Sequence, residues 1–496
     1  MLKPVISVRM IAWTIYLTFA GAILLLALPG QFARWVALAV TMADLILTVP
    51  ALSHPAEELA HFTTLVRVPW VRTLGMNFHL ALDGISLVLV VVTSITALSA
   101  VLVSWDVRER AREFFFWLLL VVGGSYGVFL SADVFLFFVF YELVIVPKYF
   151  LIAIWGSTNR EYAAMKLTLY SFFGGALVFL GIMTAYVTAG SLDLNELSRF
   201  GFDPRLQTWA FPVLFLGFAV LAGIWPFHTW APTGHVAAPT AGSMLLAGIV
   251  MKLGGYGALR LAMNLFPDGF RVWSNAVAIL AVIGIVYAAA VALRQRDLKF
   301  VVGYSSVSHM GFVLLGLSAA NRLGLSGAVL QMFSHGVIGA LLFALVGIIY
   351  LRTHTRDLET LSTMQLRKLL PFVAYAFLIA SAASMGIPGF SGFAAEVTIL
   401  IGTWRTFTGA VWVTGAGMVL VAAFTLRIIR RTFFHDDPTG HGSKEHRAAL
   451  GPVSIAEKLG VTLLMVTTVA VGIYPRLLLD RITPAVELMR CLKPGG

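Results

Sequence analysis

Polar and apolar residues along this chain do not alternate; they separate into long apolar runs joined by short polar connections. A helix needs about 20 mostly apolar residues to cross the hydrocarbon core of a bilayer. About fourteen runs reach that length: 9–29, 31–52, 80–103, 114–131, 134–156, 166–189, 208–226, 240–262, 272–293, 300–320, 325–351, 370–402, 407–434 and 457–480. The pattern predicts an all-α polytopic membrane protein. A transmembrane barrel would show alternating segments of about ten residues instead. The first run follows Lys3 and Arg9. It is too long for the apolar part of a secretory signal and lacks a small-residue cleavage site, so it reads as a retained helix.

Two runs are interrupted alike. GIWPFHTWAP at 223–232 places Pro226 and Pro232 between apolar flanks, and GIPGFSGF at 386–393 does the same with Pro388 and three glycines. Proline removes a ladder hydrogen bond and glycine frees the backbone, so each helix is expected to break there. They read either as ordinary kinks or as broken helices at corresponding positions of two inverted repeats, the arrangement seen in transporters. The repeats would span about 114–262 and 272–434, five crossings each, within a single membrane domain covering 1–496. The longest polar connections, 53–79, 190–207 and 435–456, are too short to form a soluble domain, and the turn-rich last one reads as a solvated loop.

Composition agrees: 59% of residues are hydrophobic and only 12% charged, about half the charge a soluble domain carries. The net charge of +11 would suit a nucleic-acid binder, but its distribution argues for topology. Nineteen basic residues, Lys299 among them, fall in the connections of one side and eight, Arg260 among them, in those of the other. The positive-inside rule puts the richer side in the cytoplasm and both termini outside. The single cysteine, Cys491, leaves no means of building a disulfide, a haem site or an iron–sulfur cluster within the chain.

The candidate chemistry lies in ionisable residues inside apolar runs. Glu142 falls in FFVFYELVIVPKYFLIAIW, Lys252 in AGSMLLAGIVMKLGGYGALR and Glu396 in GFSGFAAEVTIL. A charge at such depth costs about 3 kcal/mol or more unless paired or wetted, which makes each a functional candidate by default. The plainer readings are a protonated acid that only packs, a lysine reaching for an interface, and an acid on the first turn of the renewed half-helix after the break. His309 and His335 are mid-run and either relay protons or rest as satisfied core histidines. No metal-ligand spacing joins them to a cysteine or carboxylate. His228 and His235 flank the first break and read equally well as loop-lining residues. Lys148 follows Pro147 on the helix of Glu142. Six residues on, it stands about 9 Å further along the axis and on another face, so direct pairing is not expected.

Several motifs together resemble the antiporter-like membrane subunits of respiratory complex I, NADH:quinone oxidoreductase. They are HLALDGISLVLV at 79–90, SADVFLFFVFYELVIVP at 131–147, WPFHTWAPTGHVAAPTAGSMLLAGIVMKLGGYG at 225–257, DLKFVVGYSSVSHMGF at 297–312, MFSHGVIGALLFALVGIIY at 332–350 and MGIPGFSGFAAE at 385–396. The likeness covers roughly residues 75–430 and is greatest to the M-type branch. Glu396 stands where the other branches and the related antiporter subunits carry a lysine, and the chain ends soon after the last run.

The resemblance implies fourteen helices with two inverted five-helix repeats, and a proton relay through Glu142, Lys252, His309, His335 and Glu396. It also implies that NADH, FMN, iron–sulfur clusters and quinone belong to partner subunits, with none held here. Further membrane subunits, sister antiporter-like chains among them, and the lipid bilayer would be its neighbours, with no nucleic acid. The expected location is the bacterial plasma (inner) membrane. The chain departs from the family at Leu221, usually lysine, at Thr233, usually aspartate, and at Ala237, often glutamate. The missing lysine would deprive Glu142 of its usual counter-charge, and Lys148 is the candidate substitute. The first functional reading is a proton-translocating subunit coupled to quinone reduction elsewhere in a complex. The alternatives are a subunit of a multi-chain cation/proton antiporter and a non-pumping structural subunit.

Overall fold

The computed structural model describes residues 8–434 and 451–492. Most of the polar loop expected over 435–456 lies outside the described residues, as do Lys3, Lys444 and Arg447. The apolar runs are helices. In chain order they are α1 (Val8–Ala27), α2 (Gly30–Ser53), α3 (Gly84–Val103), α4 (Ala111–Leu130), α5 (Val134–Trp155) and α6 (Arg160–Ala189). The short α7 (Leu194–Arg199) leads to α8 (Pro204–Ala222) and α9 (Trp230–Ala237), which are the two pieces of one interrupted crossing. Then follow α10 (Thr240–Met263), α11 (Pro267–Arg294), α12 (Leu298–Ser318) and α13 (Arg322–Thr353). After the short α14 (Leu358–Thr363), a second interrupted crossing is made by α15 (Pro371–Ser384) and α16 (Ser391–Trp404). The set closes with α17 (Thr408–Phe433), α18 (Ile455–Ile473) and α19 (Arg476–Glu487). Among the described residues thirteen helices are long and apolar enough to cross a membrane, and α15 is a shorter apolar helix. The protein is an integral membrane protein.

Burial sorts these helices. The faces of α3, α10, α12 and α13 are buried almost throughout, whereas α6, α17 and α18 leave most of theirs to the surroundings. The fully enclosed α10 carries five glycines, at 242, 248, 254, 255 and 257, and such small residues let backbones approach closely where lipid supplies no hydrophobic drive. At Gly254 an added Cβ would meet the Phe218 carbonyl and the backbone of Ala222.

Three expectations about boundaries are corrected. The polar connection at 53–79 carries an antiparallel hairpin, β1 (Thr63–Val71) with β2 (Met76–Leu82), turned at the left-handed Gly75. The third crossing therefore starts only at Gly84, capped by Asp83, whose carboxylate accepts from the Ser86 amide. The run at 457–480 is split at Tyr474–Pro475, because proline there cannot continue the ladder, and its tail belongs to the separate amphipathic helix α19. Arg260, counted with an outer connection, is inside α10 and buried.

Both expected breaks are present. α8 ends at the left-handed Gly223 (φ 77°) and α15 gives way at the left-handed Gly386 (φ 69°). A second pair of features matches across the molecule. Asp133 caps α5 while the amides of Val134 and Leu194 bond the carbonyls of Leu192 and Ala132 at 2.9 and 2.8 Å. Asp297 caps α12 while Leu298 and Leu358 bond Arg356 and Arg296 at 2.8 and 2.9 Å. Five of the helices long and apolar enough to cross a membrane lie between these two bridged caps in the chain.

Candidate functional site: a buried line of ionisable side chains

Lys252 is fully buried. Its position depends on a π-helical turn, Leu246–Val250, just before it in α10. The wider turn disturbs the ordinary ladder, and the Lys252 ammonium donates to the Ala247 carbonyl that it presents. The ammonium lies 2.8 Å from Nδ1 of His335 on α13. When Lys252 is protonated it can only donate, so Nδ1 then accepts and the proton of a neutral His335 is on Nε2.

The His335 ring lies against that of His309 on α12, centroids 5.4 Å apart and 29° from parallel. Nδ1 of His309 is 3.3 Å from Oε1 of Glu396 on α16, and its Nε2 is 3.1 Å from the Ser384 hydroxyl at the end of α15. The Gln331 amide approaches the same Nδ1 at 3.4 Å. Four of the five side chains that the resemblance assigns to a relay thus form one contact line across α10, α13, α12 and α16. Glu396 stands on the second turn of α16, which begins at Ser391, and not on the first as expected. Its partner is the imidazole of His309. Gly386 makes room for it: a Cβ there would lie 2.6 Å from Oε2.

Glu142 begins a second cluster. It is half-buried on α5, and its buried Oε1 packs against Gly175 of α6, where no Cβ would fit. Among the described residues Oε1 has no hydrogen-bond partner. Lys148 is buried on the same helix, its ammonium likewise without a hydrogen-bond partner among them.

His228 and His235 are both buried and outside the contact line. His228 packs edge-on to Tyr287 at 5.3 Å, and His235 stacks on Phe343 at 4.4 Å with neither ring nitrogen hydrogen-bonded among the described residues. At the departures from the family pattern, Leu221 is buried in the apolar core and the Thr233 hydroxyl is 3.5 Å from the Lys166 ammonium.

Sequence reasoning missed two groups. Lys299, counted as an inner surface charge, is buried and donates to the carbonyls of Ala238 (2.6 Å) and Val236 (3.5 Å), where α9 ends. With Arg356 it lines a cavity of about 230 Å³. Asp83 and Arg260 form a buried ion pair at 2.6 Å beside a polar cavity of about 290 Å³ at the other end of α10. Both groups stand near helix ends, where a charge reads as ordinary surface. The signal available was that Lys299 falls two residues after the capping Asp297, inside an apolar helix start. Among the described residues no cluster of three metal-ligating side chains occurs.

A many-helix membrane scaffold with two interrupted crossings and a buried line of acids, lysine and histidines defines a class of ion-handling membrane subunit. Residues 131–422 match the family described as NADH:quinone oxidoreductase/Mrp antiporter, transmembrane. The chain is 36% identical to NADH-quinone oxidoreductase subunit M of Rhodobacter capsulatus, over 92% of this chain and 90% of that one. It is 38% identical to NAD(P)H-quinone oxidoreductase chain 4 1 of Synechococcus elongatus, over 90% and 84%. A chain in the structure of respiratory complex I from Thermus thermophilus with bound NADH superposes with a TM-score of 0.87 at 24% identity, covering 98% of this chain and all of that one. One in the Mrp complex from a Dietzia species gives 0.84 at 20% identity over 97% of each. The chain belongs to the NADH:quinone oxidoreductase/Mrp antiporter membrane-subunit family.

Proposed function

We propose that this chain is the proton-translocating M-type membrane subunit of a complex I-like NADH:quinone oxidoreductase in a bacterial inner membrane. The observation that carries the reading is the contact line Lys252–His335–His309–Glu396, buried at every member. Imidazoles can take and release protons through either nitrogen near neutral pH, and the lysine and the acid at the two ends offer the complementary protonation states. The cavity beside Asp83–Arg260 supplies polar space at one end of α10, and Lys299 and Arg356 bring two cations to a mostly apolar cavity at the other. The matched breaks and bridged caps support two inverted five-crossing repeats, about 114–262 and 272–434, in a single membrane domain. In this reading the NADH, FMN, iron–sulfur clusters and quinone belong to partner subunits. Sister antiporter-like chains flank this one, and both termini face outward.

Glutamate at 396 favours this reading over the cation/proton antiporter subunit. The test is Lys252→Met in the complete complex reconstituted in vesicles. The expected result is a lower ratio of protons moved to electrons transferred, with the complex still assembled. An unchanged ratio overturns the reading in favour of a structural subunit.

A further inference from the structure

Asp44 is an acid inside α2 that neither the contact line nor the Glu142 cluster uses. It sits in the apolar run ALAVTMADLIL at 37–47 and is fully buried. Its surroundings are hydroxyls. Thr41, Asp44 and Thr48, the buried polar residues of α2, recur every three or four positions and so share one face. That helix packs against α1, α3 and α4, and each of the three brings a polar side chain to the cluster. From α1, Oγ1 of Thr18 lies 3.3 Å from Oδ2 of Asp44. From α3, the Ser94 hydroxyl lies 3.0 Å from that of Thr48. From α4, the Tyr126 hydroxyl lies 2.7 Å from that of Ser94. Oδ1 of Asp44 has no hydrogen-bond partner among the described residues.

Besides Asp44, the ionisable residues of these four helices are Arg9, Tyr16, Arg34, Arg112, Glu113 and Tyr126. Arg9, Arg34, Arg112 and Glu113 stand near helix ends, and the Tyr16 ring packs on Trp13 and Phe78. Tyr126 alone joins the cluster, so no cation there balances a carboxylate. Counting protons then decides the state of the acid. A hydroxyl has one proton to give, and that of Thr18 goes to the Thr14 carbonyl one turn back on α1. The contact between Thr18 and Asp44 must therefore take its proton from the acid. Oδ2 donates and Oγ1 accepts. An ionised Asp44 would set two oxygens against each other with no proton between them, and would leave a buried charge unpaired.

We infer that Asp44 is a further proton-binding site of this protein, separate from the Lys252–Glu396 line, where a resident proton on the neutral acid clasps α2 to α1 through Thr18. Thr48, Ser94 and Tyr126 tie the same face of α2 to α3 and α4. The inference does not rest on the proton-relay reading.

The experiment records infrared spectra of the complete complex in lipid vesicles at neutral pH, comparing the unaltered protein with Asp44→Asn and Thr18→Val. Assembly is checked by co-purification of the other subunits. The expected result is a carbonyl stretch of a neutral carboxylic acid that is absent from Asp44→Asn. In Thr18→Val, where the acid has lost its acceptor, the same band moves to higher frequency. Asparagine keeps the shape of the acid and can donate to Thr18, so Asp44→Asn is expected to assemble. If it does not, Thr18→Val against the unaltered protein decides alone: a moved band upholds the inference and an unmoved one overturns it. Identical neutral-acid bands in Asp44→Asn and the unaltered protein also overturn it, because Asp44 would then be ionised. None of these readouts depends on the proton-to-electron ratio, so the relay stands or falls by Lys252→Met.

Discussion

Glu396 owes its place to a residue with no side chain. Gly386 adopts a left-handed backbone conformation, and a methyl group there would lie 2.6 Å from the Glu396 carboxylate. Gly386→Ala therefore combines backbone strain of about 1–3 kcal/mol with displacement of the acid from His309. The expected outcome is a lower melting temperature of the purified complex and a lowered proton-to-electron ratio; unaltered values of both would contradict it. At this scale the sequence was most legible in the middle of helices. Glu142, Lys252, His309, His335 and Glu396 stood out because an ionisable group in an apolar run has no cheap explanation. Their order in space was not legible, since His309 and His335 come from adjacent helices and meet only through packing. Lys299 and the Asp83–Arg260 pair escaped notice because their burial comes from neighbouring helices, not from their own flanking residues.

Among the elements, the β1–β2 hairpin is the one the hydrophobic pattern hid. Its β-branched residues lie in a stretch too polar to register as a membrane segment, and Pro69 weakens any strand reading. It is tied down by His79, whose ring bonds the Thr64 hydroxyl at 2.9 Å and lies 3.2 Å from the Asp193 carboxylate, with Arg67 at 3.3 Å. Burial opposes ionisation of Asp193, but hydrogen bonds from His79 and the Asn195 amide, with the charges of His79 and Arg67, outweigh it and hold its carboxyl below the usual range. A depressed carboxyl contributes stability that is present above its unfolded value and lost as pH falls through the folded one. The tether should therefore persist at mildly acidic pH and fail only below the ordinary carboxylate range, near 4. Asp193→Asn should loosen it at neutral pH, read as faster tryptic cleavage at the exposed Arg72. Equal cleavage of the two proteins would contradict this. The two proline–glycine breaks were visible because those residues have strong backbone rules. The π-helical turns of α10 were not, since nothing in LAGIV or ALRLAM forbids an ordinary helix.

Across the whole molecule, the Asp83–Arg260 pair joins the hairpin, α3 and α10. The Arg260 guanidinium bonds both Asp83 oxygens, at 2.7 and 2.6 Å, and lies 4.6 Å from the centre of the Phe62 ring. Asp83→Asn would strand a buried guanidinium, at a cost of about 3–5 kcal/mol. The expected outcome is poor assembly of the membrane arm, with partial recovery in Asp83→Asn/Arg260→Met. A double variant no better assembled than the single one would show that the pair is not the reason.

The contact line has a further consequence. Lys252, His335 and His309 each stand near the middle of their helices, Thr240–Met263, Arg322–Thr353 and Leu298–Ser318. In the relay proposed above, a charge passed among them would travel sideways, along the plane of the bilayer. Moving one elementary charge fully across a membrane held at 100 mV takes about 2.3 kcal/mol, but a lateral step at constant depth takes almost none of it. The electrical work is thereby confined to the vertical legs at either end. In that relay the central hops would stay fast at any voltage, and back-pressure from a charged membrane would be felt only where protons enter and leave.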